Sequence, residues 1–160
     1  MARIEKVDYF MLMAQVVSMR ATCKRRSVGC VLVDHYDHVL STGYNGVASG
    51  RPHCIETPCP GADCLSGQGL DLCEAIHAEQ NALLQCGDVY KIKSCFTTTL
   101  PCIHCLKLLM NTSCQFIYYC EPYSKEVEIR NFWINSRHDR DIEQLLQKYK
   151  IEEINGNIFV

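Results

Sequence analysis

Twelve cysteines in a chain of 160 residues constrain this sequence more than any other feature. A cysteine is half a disulfide, a metal ligand or a small apolar core residue, and each choice implies a different fold. The opening stretch, Met1-Ala2-Arg3-Ile4-Glu5-Lys6-Val7-Asp8, has no apolar segment of the kind that directs secretion. No run approaches the roughly 18 apolar residues of a membrane span. The expectation is a cytoplasmic, reducing setting in which the thiols stay free or bind metal. Cys30, Cys86, Cys95, Cys114 and Cys120 lie in apolar runs such as Gly29-Cys30-Val31-Leu32-Val33 and read as buried packing. Cys23, Cys54, Cys59, Cys64, Cys73, Cys102 and Cys105 lie among polar and turn residues and need another role.

The length suits one domain, and 48% hydrophobic with 21% charged residues is a globular composition. Sixteen basic residues stand against 18 acidic ones, a formal charge of -2. A polynucleotide-binding surface usually shows as a basic excess, so long DNA or RNA is not an expected partner. A small anion needs only two or three local arginines.

Val7, Phe10, Met11, Ala14 and Val17 share one helical face, which predicts a helix over about 4–20. Residues 30–33 and 38–42 read as two strands of a hairpin. Residues 43–69 hold most of the glycines and prolines, and with Cys73 they mark a cysteine-rich insertion of about 46–76. A loop that long is expected to be functional or pinned. A helix from about 77 to 86, a strand over 93–98, a helix over 103–110 and a strand over 115–119 follow. A last helix over 139–149 and a short strand near Ile151 complete the reading. The order predicts a single domain, a three-layer α/β/α sandwich on a mixed five-stranded sheet with helices on both faces. Its core is placed at about 4–123, with 124–160 as a C-terminal extension.

The chemistry is carried by His77-Ala78-Glu79 and Pro101-Cys102-Ile103-His104-Cys105. Three residues apart at a helix start, Cys102 and Cys105 present both thiols to one side, where the helix dipole favours thiolate. His77, Cys102 and Cys105 then make three ligands of a tetrahedral zinc and leave a fourth position open for water, the layout of a catalytic site. On a regular helix His77 and Glu79 would point apart, so they can converge only around an irregular first turn. His104 is expected to face away from the metal. The combination H-x-E with P-C-x-x-C is the known signature of zinc deaminases.

Together with Ser41-Thr42-Gly43-Tyr44-Asn45-Gly46, His53-Cys54, the run from His77 to Leu83 and Thr97-Thr98-Thr99-Leu100-Pro101-Cys102, the chain resembles the deoxycytidylate (dCMP) deaminases of the zinc-dependent cytidine deaminase superfamily over about residues 20–123. The resemblance implies a cytidine deaminase-like fold and hydrolysis of dCMP to dUMP and ammonia, supplying the thymidylate precursor. Zinc would lower the pKa of a bound water, and Glu79, not a ligand, would serve as acid and base. The Ala78 amide would donate to the base carbonyl, and Asn45 would hold a sugar hydroxyl. Arg25 or Arg26 is expected to grip the 5′-phosphate, with Tyr123 closing over it.

The resemblance also implies an allosteric site along Gly43, Tyr44, Asn45 and Gly46, activated by dCTP and inhibited by dTTP with Mg2+ on the phosphates, in a homo-oligomer, commonly a hexamer. Cys23, Cys54, Cys59 and Cys73 are expected to hold a second, structural zinc. Cys64 is an alternative to Cys59, and His53 a lesser candidate. Cys23 and Cys54 match cysteines that hold such a metal in some phage dCMP deaminases. Competing readings are a deaminase of dCTP, cytidine or 5-modified dCMP, and a non-catalytic zinc-binding interaction module.

Overall fold

Helix α1 (Lys6–Ser18) follows the apolar spacing of the sequence: Phe10, Met11 and Ala14 are buried, with Val7 and Val17 packed beside them. In this computed structural model, which describes residues 3–65 and 67–145, α1 leads into an antiparallel hairpin of β1 (Gly29–Asp34) and β2 (Val39–Tyr44). The two-residue strands β3 (Gly46–Val47) and β4 (Ala75–Ile76) pair across the base of the insertion. Helix α2 (Ala78–Gln85), β5 (Ile92–Thr99), α3 (Ile103–Met110), β6 (Phe116–Glu121), α4 (Glu126–Ile134) and β7 (Asp141–Gln144) complete the order.

The main sheet runs β2-β1-β5-β6-β7. β1 is antiparallel to β2 and β5, while β5, β6 and β7 are parallel, so the sheet is mixed as expected. Parallel neighbours need crossover connections, and α3 and α4 supply them. Alternate side chains of each strand face opposite layers. Val31, Val33 and Phe96 pack on α1, while Cys30, Leu32, Cys95, Ile117 and Tyr119 face the layer of α2, α3 and α4. The three-layer sandwich follows.

Two expectations need correction. Residues 141–144 form a strand, not the start of a helix. Ile142 pairs with Ile117 and is buried, and the Asp141 and Leu145 amides donate to the Gln115 and Tyr119 carbonyls. The alternation around Ile142 outweighs the helical propensity of its neighbours, because the free edge of β6 offers a ladder of backbone partners. The remainder of the expected helix and the strand near Ile151 lie outside the described residues. The helix of this region is α4 instead, anchored by Ile129 and Trp133 four residues apart on its inner face. The Trp133 indole donates to the Asp141 carbonyl at 2.9 Å, tying α4 to β7. Of the five cysteines read as core, Cys30, Cys95 and Cys114 are fully buried, whereas Cys86 and Cys120 are only partly so.

The insertion is irregular but held at many points. Ile55 N–H donates to the Thr22 carbonyl, Gly61 N–H to the Leu72 carbonyl, and Arg51 pairs with Glu74. Lys24 reaches Asp63 at 2.9 Å.

Close approach fixes where α2 sits. A Cβ on Gly43 would lie 2.3 Å from both the Ala78 carbonyl oxygen and the Ala82 nitrogen, so β2 and α2 touch backbone to backbone there. The Ser41 hydroxyl, 2.7 Å from the Ala82 carbonyl, adds a second tie. Gly43→Ala is therefore expected to push α2 outward and to destabilise the protein by about 1–3 kcal/mol. Thermal denaturation checks the stability, and metal content checks the accompanying loss of affinity at the helix start.

Candidate active site

Both segments that carry chemistry end in helix N-termini on the same side of the sheet. His77 precedes α2 with extended backbone (φ -71°, ψ 156°), and Cys102 precedes α3 in the same way (φ -68°, ψ 165°). The extended turn at His77 resolves the problem of two residues that a regular helix would point apart: His77 projects outward while Glu79 enters the interior. Gln80 steadies the turn, its side-chain oxygen accepting from the His77 N–H at 2.9 Å.

The His77 Nδ1 atom lies 3.4 Å from the sulfur of Cys102 and 3.4 Å from that of Cys105. Among the described residues this is the one group in which three such donor atoms lie within 4.8 Å of one another. Around a tetrahedral zinc with bonds of roughly 2.0–2.3 Å, donors sit roughly 3.5–3.8 Å apart, so the set fits that ion and leaves one position open. His104 is exposed on the outer side of α3, away from the three donors.

Electrostatics sets the three donors apart. The Cys102 thiol is lowered to about 3, first by its hydrogen bond with Cys105 and further by His77, against the cost of burial. Cys105 is raised, first by that same hydrogen bond and then by burial. His77 is raised, chiefly by its hydrogen bond with Cys102. Glu79 is 4% exposed, and burial pushes its carboxyl up. The Thr97 hydroxyl lies 3.3 Å from Glu79 Oε1, a contact the sequence reading missed. The available signal was a polar side chain inside an otherwise buried central strand.

Above these groups opens a cleft of about 330 Å³, to which His77, Ala78, Glu79, Asn45, Arg26 and Tyr123 all contribute. Ala78 is the first residue of α2, where a backbone N–H has no partner within the helix. The Asn45 side chain is buried and doubly engaged, accepting from the Val28 N–H and donating to the Arg26 carbonyl, both at 2.7 Å. An amide keeps a second hydrogen and a second lone pair after such bonds. Both Arg25 and Arg26 line the cleft, with different partners. Arg25 donates to the Leu65 and Gln68 carbonyls at 2.8 and 3.0 Å, which ties it to the insertion. Arg26 lies over the Tyr123 ring, 5.4 Å from its centroid.

Gly43 and Gly46 have packing roles of their own, the second against Thr22. Tyr44 is half-buried, and its carbonyl accepts from the Asn81 side chain of α2 at 2.8 Å. The second cysteine cluster is looser than the first. The sulfurs of Cys54 and Cys59 are 3.6 Å apart, and burial pushes the Cys73 thiol up. Cys59 is lowered, first by the Glu74 amide. Cys64 faces the cleft, and His53 is exposed beside Glu56.

A family profile described as the cytidine and deoxycytidylate deaminase zinc-binding region matches residues 4–121. A deoxycytidylate deaminase of Schizosaccharomyces pombe is 37% identical over 123 residues, 74% of this chain and 38% of that protein. A deoxycytidylate deaminase of Mycobacterium phage D29 is 33% identical over 126 residues, 74% of this chain and 97% of its own. The dCMP deaminase of cyanophage S-TIM5, solved in complex with dCMP and dUMP, superposes with a TM-score of 0.67 at 22% identity, covering 91% of this chain and 100% of that one. That likeness is one of fold, cytidine deaminase-like. The chain spans about two fifths of the length of the yeast relatives it matches.

Proposed function

The chain belongs to the family of cytidine and deoxycytidylate deaminases, and from that premise we propose that it hydrolyses dCMP to dUMP and ammonia. The observation that carries the reading is a buried carboxyl, Glu79, beside a three-donor metal set at the foot of a cleft that also holds Arg26 and Tyr123.

His77, Cys102 and Cys105 would hold zinc, which when bound supplies a Lewis acid able to bring the pKa of water to about 7. Glu79 moves the protons. It takes one from the attacking water and passes it to N3 of the pyrimidine as the C4–O bond forms. It then carries the second water proton to the exocyclic nitrogen as the C4–N bond breaks and ammonia leaves. The Ala78 amide donates to the base carbonyl. Asn45 offers its free hydrogen-bonding capacity to a sugar hydroxyl while its existing bonds hold Arg26 in place. Arg26 takes the 5′-phosphate with Tyr123 beside it, and Arg25 serves to hold the insertion.

The reading extends to the other thiols and to regulation. Cys23, Cys54, Cys59 and Cys73 would hold a structural zinc, and the 3.6 Å approach of the Cys54 and Cys59 sulfurs favours Cys59 over Cys64. The segment Gly43–Gly46 receives dCTP or dTTP with Mg2+, and the bond between Asn81 and the Tyr44 carbonyl joins that segment to the helix bearing Glu79. The enzyme works as a homo-oligomer, a hexamer, in the cytoplasm. No helix among the described residues is long and apolar enough to cross a membrane.

Ammonia release from deoxycytidine, dCMP and dCTP tests the substrate. Preference for dCMP is expected; equal use of the nucleoside contradicts the reading. Glu79→Ala should keep its fold and zinc while turnover falls by about a thousandfold or more. Arg26→Ala should raise KM for dCMP by about tenfold or more and leave deoxycytidine nearly untouched, because a charge-assisted bond is lost in one case alone. Arg25→Ala should not separate the two substrates. Elemental analysis should find two zincs per chain, with Cys54→Ser losing one and melting at lower temperature; a single zinc in metal-replete protein contradicts the second site.

A further inference from the structure

Thr97 lies in the C-terminal half of the central strand, paired with Cys30 of β1 on one side and Tyr119 of β6 on the other. Its backbone is therefore fixed from both flanks, and its side chain is completely buried. The side chains near it on that face of the sheet, Cys30 and Cys95, belong to the apolar core. A hydroxyl in such surroundings has to find partners. It has two: the Thr99 carbonyl oxygen at 3.1 Å and Glu79 Oε1 at 3.3 Å.

We propose that Thr97 is a positioning residue for deamination, holding one oxygen of Glu79 so that the carboxyl presents its other oxygen to water and substrate in a fixed direction. The inference rests on the function proposed above. A carboxyl at the end of a flexible side chain is held to one orientation when one oxygen is anchored, and a donor on a rigid strand places it more precisely than one on a loop. The hydroxyl also suits a group that gains and loses a proton in every turnover. It donates its hydrogen to Glu79 as carboxylate. When Glu79 carries the proton, the hydroxyl turns to the Thr99 carbonyl and accepts from Glu79 instead. A valine at this position, similar in shape, does neither.

The test is steady-state kinetics on zinc-loaded protein with dCMP, comparing Thr97→Val, Thr97→Ser and Thr97→Ala. Misorienting the proton carrier should lower kcat of Thr97→Val by about 10- to 100-fold. KM should stay within about twofold, since substrate binding is untouched. Zinc per chain should equal that of the wild type. Thr97→Ser keeps the hydroxyl and should restore most of kcat, whereas Thr97→Ala should behave as Thr97→Val. The Ser and Ala pair keeps the comparison intact if the valine variant does not fold. A purely structural role would lower melting temperature and zinc content and would not be rescued by serine. If wild-type protein deaminates dCMP and Thr97→Val matches it in kcat, the inference falls alone. If wild-type protein deaminates no cytosine nucleotide, the proposed function falls and takes the inference with it.

Discussion

Two helix N-termini meeting at one point organise everything else in this molecule. The backbone amides that open α2 and α3 have no partners within their own helices, and each helix carries the positive end of its dipole there. Placing His77 at one and Cys102 with Cys105 at the other brings three donors together, and Cys102 is lowered to about 3, first by its hydrogen bond with Cys105 and then by His77. The same geometry sends Glu79, one turn position further on, into the interior, where burial raises its carboxyl. The donors proposed for the metal and the carboxyl proposed as proton carrier thus arise from one local device, an extended residue immediately before a helix.

Holding those termini in register is the work of the sheet. β5 leads directly into Pro101 and Cys102, so the thiols inherit the rigidity of the central strand. α2 is set by its backbone contact with β2 at Gly43 and by bonds from Ser41 and to the Tyr44 carbonyl. The residues that follow β2 serve the cleft as well. Asn45 clamps the segment that bears Arg26, so the amide proposed for the sugar and the guanidinium proposed for the phosphate move as a unit.

Much of this was legible in the sequence because the decisive spacings are short. H-x-E and P-C-x-x-C are local patterns, and a helix start turns them into geometry without help from distant residues. The edges of the site were less legible. Arg25 and Arg26 are neighbours with the same chemistry, and only the folded insertion on one side and Tyr123 on the other tell them apart. Thr97 looks like any strand residue until the first turn of α2 brings Glu79 against it. At the C-terminal side, α4 has two buried anchors and no conventional cap, since Lys125 precedes it in a left-handed conformation. β7 exists because β6 offers it an edge. Both depend on tertiary partners that no local pattern announces.

Anomalous diffraction at the zinc absorption edge, on crystals grown with a hydrated-pyrimidine nucleotide, tests the central claim most directly. The account predicts a peak bonded to His77 Nδ1, Cys102 Sγ and Cys105 Sγ, with the ligand's hydroxyl in the fourth position and Glu79 hydrogen-bonded to that hydroxyl without touching the metal. A peak with Glu79 as its fourth ligand, or no peak at these three donors, would contradict it.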